Sequence, residues 1–92
     1  LIRASINGRL EVVKALLAAG ADHGIQNRKG NTALTLASDK GRPEVVKALL
    51  AARADHGIQN NDGNTALLLA SNQGHLEVVK ALLAARADHG VQ

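Results

Sequence analysis

The residues Asn31 to Gln59, NTALTLASDKGRPEVVKALLAARADHGIQ, return 33 positions later as Asn64 to Gln92, NTALLLASNQGHLEVVKALLAARADHGVQ. Of these 29 aligned positions six differ (35/68, 39/72, 40/73, 42/75, 43/76 and 58/91), so 23 match. The tail of another copy, VVKALLAAGADHGIQ, lies one period earlier, at Val12 to Gln26. A fixed period of this size calls for a stacked array, in which each unit buries its apolar face only against its neighbour. The copies divide the chain into a partial unit (1–26), a second unit (27–59) and a third (60–92) within one domain.

One unit reads as turn, short helix, turn, longer helix and extended loop. Asn27-Arg28-Lys29-Gly30 has the residues of a turn, with Gly30 free to take positive φ. Thr32 is placed to cap a short apolar helix that ends near Lys40, and Gly41 holds the left-handed position beyond it. Gly8 and Gly74 occupy the same place in the other units. Pro43 then opens a second helix, where its missing N–H costs nothing. Val45, Val46, Leu49 and Leu50 form its buried stripe, and Glu44 and Lys47 an outer pair. Glu11/Lys14 and Glu77/Lys80 repeat that pair. The chain is expected to turn again through Arg53 to Gly57, and through Arg86 to Gly90.

Composition narrows the chemistry. There is no Phe, Tyr, Trp, Met or Cys, so the core must be Ala, Leu, Val and Ile. Without cysteine there is neither a disulfide nor a thiolate metal site, which is compatible with an intracellular, cytoplasmic protein. A net charge of +3 is too weak to imply nucleic acid. No apolar run approaches the ~18 residues of a membrane span. Ser5, Ser38 and Ser71 recur at one helix position and read as small packing residues. No catalytic set, cofactor motif or metal-ligand spacing stands out.

These residues resemble the ankyrin repeat over the whole chain. That family's period is 33, with a T-P-L-H-x-A signature. Here it reads Thr32-Ala33-Leu34-Thr35-Leu36-Ala37 and Thr65-Ala66-Leu67-Leu68-Leu69-Ala70. Gly74-His75-Leu76-Glu77-Val78-Val79 is similar to the family's second-helix signature, and Gly20-Ala21-Asp22 to its loop. The resemblance implies an all-α solenoid of stacked helix-turn-helix units with protruding β-turn loops. It also implies a non-enzymatic scaffold that grips a protein partner by its loop tips and the concave face of its first helices. The chain departs from the family at four places, one of them His-Gly where the family has Val-Asn after the loop Asp, as at His56-Gly57. Ala replaces the family's helix-opening Pro, and Thr35 and Leu68 replace the His whose bonds between turns should be missing. Arg53 and Arg86 replace the loop Gly, at about 1 kcal/mol each if the backbone stays left-handed.

The matching partner-binding positions are Arg28, Lys29, Asn31, Asp39 and Lys40, then Asn61, Asp62, Asn64, Asn72 and Gln73, with Ile6 and Asn7 remaining in the partial unit. Gln26, Gln59 and Gln92 at the loop roots are further candidates. Drift at exposed positions explains the differences between copies equally well. The column His23, His56 and His89 reads as a copied loop residue rather than a metal ladder, since stacked units sit ~8–10 Å apart. Arg53/Asp55 and Arg86/Asp88 read as a solvated ladder of charge. Two other readings stand beside the partner scaffold. The near identity of the copies fits an engineered, consensus or recently duplicated array with no selected partner. Arg28, Lys29, Lys40 and Arg42 could bind nucleic acid weakly, although no aromatic is present for base stacking. Leu1 and Ile2 open the chain inside a unit, as expected for a piece of a longer array. The uncapped end units predict end-to-end self-association.

Overall fold

The computed structural model describes residues 1–90, with side chains described through Arg86. Six helices follow in pairs: α1 (Ile2–Ile6) with α2 (Leu10–Ala18), α3 (Ala33–Asp39) with α4 (Pro43–Ala51), and α5 (Ala66–Gln73) with α6 (Leu76–Gly90). Among the described residues no strand forms. α1 packs on α3 and α3 on α5, while α2 packs on α4 and α4 on α6. The pairs therefore step along one axis, first helices in one layer and second helices in the other.

Local chemistry sets the ends of each helix. The Thr32 hydroxyl accepts from the Thr35 N–H at 3.2 Å, and Thr35 Oγ1 accepts from the Thr32 N–H at 2.8 Å. This reciprocal capping box closes the first turn of α3. Thr35, standing where the family has His, thus spends its hydroxyl on its own helix. Thr65 caps α5 by accepting from the Leu68 N–H at 3.3 Å, but Leu68 has no oxygen to return the bond. Gly8, Gly41 and Gly74 each leave the first helix with φ near +70° (+69°, +70° and +73°). Pro43 stands at the start of α4. The three Glu–Lys pairs form at 3.8, 3.6 and 4.0 Å on the exposed second helices, each contributing about 0.3 kcal/mol.

Burial shows which side of a unit faces which neighbour. Val45 and Val78, with a helix pair before them, are 1 % exposed, whereas Val12 is 47 % exposed. At the other side Thr35 is 2 % exposed beneath the third pair, whereas its counterpart Leu68 is 48 % exposed. Leu17 and Leu50 are partly buried against the core, and Leu83 lies open. Ser5 and Ser38 are buried as expected, but Ser71 is exposed, because among the described residues no helix pair lies on its side of α5.

The last loop differs from the expectation. Glu44–Gly57 and Glu77–Gly90 are the same 14 residues, yet they fold differently. In the first, α4 ends at Ala51, Arg53 takes φ +70°, and the Ala54 N–H donates to the Leu49 carbonyl at 3.0 Å. In the second, α6 continues through Arg86 to Gly90. Ala and Arg are strong helix formers, and a left-handed Arg costs about 1–2 kcal/mol. In the second unit that cost is offset by burying Ala54 in the core; no further pair stacks on the described residues of the third. The expectations placed on Gln92 and on the side chains of Asp88 and His89 fall outside what is described.

Candidate functional site

Each loop tip is tied by one asparagine. Asn27 Oδ1 accepts from the N–H groups of Lys29 and Asn31, both at 3.0 Å. Asn60 Oδ1 does the same for Asp62 and Asn64, again at 3.0 Å. These Asx turns hold the tip backbone in place of a regular ladder. Neighbouring tips then lock together. The Asn61 N–H donates to the Lys29 carbonyl at 2.9 Å, and Asn61 Nδ2 to the Arg28 carbonyl at 2.8 Å. Asn60 Nδ2 donates to Asn31 Oδ1 at 3.0 Å. Gly30 makes the approach feasible, because a Cβ there would lie 2.9 Å from the Asn61 nitrogen.

The candidate residues separate into two clusters. Arg28, Lys29, Asn61 and Asp62 are exposed at the tips. Asn31 is 8 % exposed and Asn64 half-buried, so these two support the tips more than they present a surface. Gln26, at the loop root, donates Nε2 to the Gly30 carbonyl at 2.8 Å. The second cluster lies at the other end of the first helices. Lys40, Asn72 and Gln73 are exposed there, and half-buried Asp39 accepts from Gln73 Nε2 at 3.1 Å. Arg42 Nε donates to the Ile6 carbonyl at 2.9 Å, so its guanidinium is partly committed to the stack. With seven residues in α3, the clusters stand about 10 Å apart.

Between them runs a strip that the sequence reading did not single out. Arg3, Leu36 and Leu69 occupy one position in successive units, with Arg3 exposed and both leucines half-buried. Their periodic spacing from Asn7, Lys40 and Gln73, four residues on, is the signal that could have found them. The surface is thus charged or polar at both ends with an aliphatic step between.

Other arrangements carry less. Asp22 and Asp55 each accept from the N–H two residues on, Gly24 and Gly57, at 2.8 Å. They are turn formers, and among the described residues no ion pair joins Arg53 to Asp55; the Arg86/Asp88 half of the expected ladder lies outside what is described. His23 and His56 are half-buried, and no group of three or more His, Asp or Glu able to hold a metal occurs among the described residues. An open hollow of about 600 Å³ between α4 and α6 is walled by Leu50, Ala51, Ala81 and Ala84 with Lys47 and Arg53. No described helix is long and apolar enough to cross a membrane.

No curated protein matches the sequence. A family model described as ankyrin repeats, three copies, matches residues 1–92. With helix pairs stepping along an axis and glycine-turned tips linked between units, the chain belongs to the ankyrin-repeat family.

Proposed function

We propose that the chain is a non-enzymatic scaffold that holds a protein partner against its loop tips and the outer strip of its first helices. Ankyrin repeats are generally protein–protein interaction modules. The observation that carries this reading is the bonding between tips. Asn61 fixes the backbone of Arg28 and Lys29 from the neighbouring unit, and Asn60 holds the Asn31 side chain beside them, while the Arg28 and Lys29 side chains stay exposed. A surface ordered before binding loses less entropy when a partner arrives. Arg28, Lys29 and Lys40 take no part in the ion pairs of the described residues, which all join Lys to Glu on second helices. They favour a partner with acidic groups facing them. Lacking Trp and Tyr, such a surface works by polar contacts and modest affinity.

The test is capture of partners from an extract by the chain and by an Arg28→Glu, Lys40→Glu variant. The variant is expected to lose its partner while melting as before, since both residues are exposed. An unchanged set of captured proteins would remove this site.

The competing reading, an idealised array with no selected partner, is favoured by the 14-residue identity between units. Two features weigh against it: Arg53 at φ +70° and the buried, unpartnered hydroxyls of Ser5 and Ser38. An idealised chain would carry Gly and Ala there. A melting temperature above 90 °C would favour it; an ordinary mesophile value would not. Weak nucleic-acid binding is the third reading, and it predicts a steep loss of affinity with salt.

A further inference from the structure

The exposed cations of the second unit stand at the two ends of α3. Lys29 lies four positions before Ala33, where the helix begins, and Lys40 one position beyond Asp39, where it ends. Seven helical residues span about 10 Å, so the two amines flank a gap somewhat longer than that. Half-buried Leu36 sits between them, and half-buried Leu69 holds the same place on α5, which packs against α3. Among the described residues no ion pair or side-chain hydrogen bond engages the side chains of Arg28, Lys29 or Lys40. Asp39, next to Lys40, is held by the Gln73 amide. The charge then changes across the unit boundary. Asn61 and Asp62 take the places of Arg28 and Lys29 in the third unit, and Gln73 that of Lys40.

We propose that this strip takes an extended acidic peptide lying along α3, with two carboxylates four residues apart and an aliphatic side chain midway between them. The assignment rests on the scaffold reading and adds the shape and charge of the partner. An extended chain advances ~3.3 Å per residue, so its residues i and i+4 stand ~13 Å apart, which fits the gap between the two lysines. Alternation puts i, i+2 and i+4 on one side of such a chain. Both acids then face the amines of Lys29 and Lys40, while the residue between them covers Leu36 and Leu69. A helical partner fits less well. It lays down an apolar stripe of several residues, and this strip has a single aliphatic step. Asp62 sets the register, because an acid over the third tip would meet a like charge.

The test is an NMR titration of the isotope-labelled chain with the capped peptide Gly-Glu-Ser-Leu-Ser-Glu-Gly. Two exposed ion pairs and one covered side chain give a dissociation constant on the order of 1 mM, and the backbone amides of Lys29, Leu36 and Lys40 are expected to shift. Placing the two Glu side by side, or replacing the Leu by Ser, should weaken binding roughly fivefold. Lys40→Gln should weaken it about as much, and Asp62→Lys should strengthen it about twofold; both residues are exposed. Binding indifferent to the spacing of the acids, no gain in Asp62→Lys, or no shift at about ten times the expected constant would overturn the assignment. Partner capture by the Arg28→Glu, Lys40→Glu variant separates the two readings. Capture lost in that variant, with no peptide binding to the unaltered chain, overturns the acidic peptide and leaves the scaffold. Unchanged capture removes the scaffold reading, and the assignment with it.

Discussion

His75 Nε2 lies 2.9 Å from the carbonyl oxygen of Asp39, in the place where Arg42 Nε donates to the carbonyl of Ile6, also at 2.9 Å. A carbonyl can only accept, so Nε2 carries the proton in this tautomer. Imidazole and guanidinium thus do one job in successive units. Each satisfies a carbonyl left open at the end of the preceding first helix, where the helix dipole is negative. The clamp joins units through a side chain that one sequence position supplies in two chemistries.

The clamp needs the turn glycine beneath it. A Cβ on Gly41 would meet the His75 ring at 2.6 Å, whereas one on Gly74 meets nothing within 4 Å. Both glycines have positive φ, so Gly74→Ala should lose about 1 kcal/mol from backbone strain alone. Gly41→Ala should lose about 1 kcal/mol more, the worth of the displaced bond. Urea unfolding of the two variants measures the difference. Equal losses would mean that the His75 bond contributes nothing.

The two arginines of the repeated loop should respond oppositely to the same change. Arg53→Gly relieves a left-handed backbone and should stabilise the monomer by about 1 kcal/mol. Arg86→Gly places glycine inside a helix and should destabilise it by up to about 1 kcal/mol. Denaturation at low micromolar concentration reads both. Shifts of the same sign would contradict the two conformations.

Ser38 is fully buried, and its hydroxyl finds no partner. Burying an unpaired hydroxyl costs about 1–3 kcal/mol. Ser38→Ala should therefore hold or raise the melting temperature, by about 4–8 °C for each kcal/mol recovered in a chain this size. A clear drop on thermal denaturation would show that the hydroxyl has a partner in solution.

What could be read from the sequence were the features fixed within a unit. The Thr32 cap, the Gly41 turn, the Pro43 helix start and the outer Glu44–Lys47 pair follow from residues a few positions apart. What could not be read depends on the neighbour. Thr35 and Leu68 share one position, and only the presence of a following pair decides that one is sealed and the other open. Glu44–Gly57 and Glu77–Gly90 make the limit plain, since identical residues fold two ways. At the candidate surface the sequence pointed to residues that vary between copies, Arg28 and Lys29 among them. It passed over Asn27 and Asn60, because an asparagine before a turn glycine reads as a local turn former whether or not it also bridges two tips.

That distinction is measurable. Asn27 and Asn60 each tie their own tip by accepting two backbone N–H bonds at 3.0 Å. Asn60 alone of this pair also reaches Asn31, whose side chain is nearly buried. Asn27→Ala should therefore cost about 1 kcal/mol, and Asn60→Ala about 2 kcal/mol, because Asn31 is left without that donor. If the bond acts between tips, Asn31→Ala and Asn60→Ala together should cost about 1 kcal/mol less than the sum of the two alone. The same variants bear on binding. Asn60→Ala loosens the platform that carries Arg28 and Lys29 without removing either charge, so partner capture should weaken although the charged surface is intact. Additive losses, with capture unchanged, would reduce Asn60 to a turn former and take the ordered platform out of the binding argument.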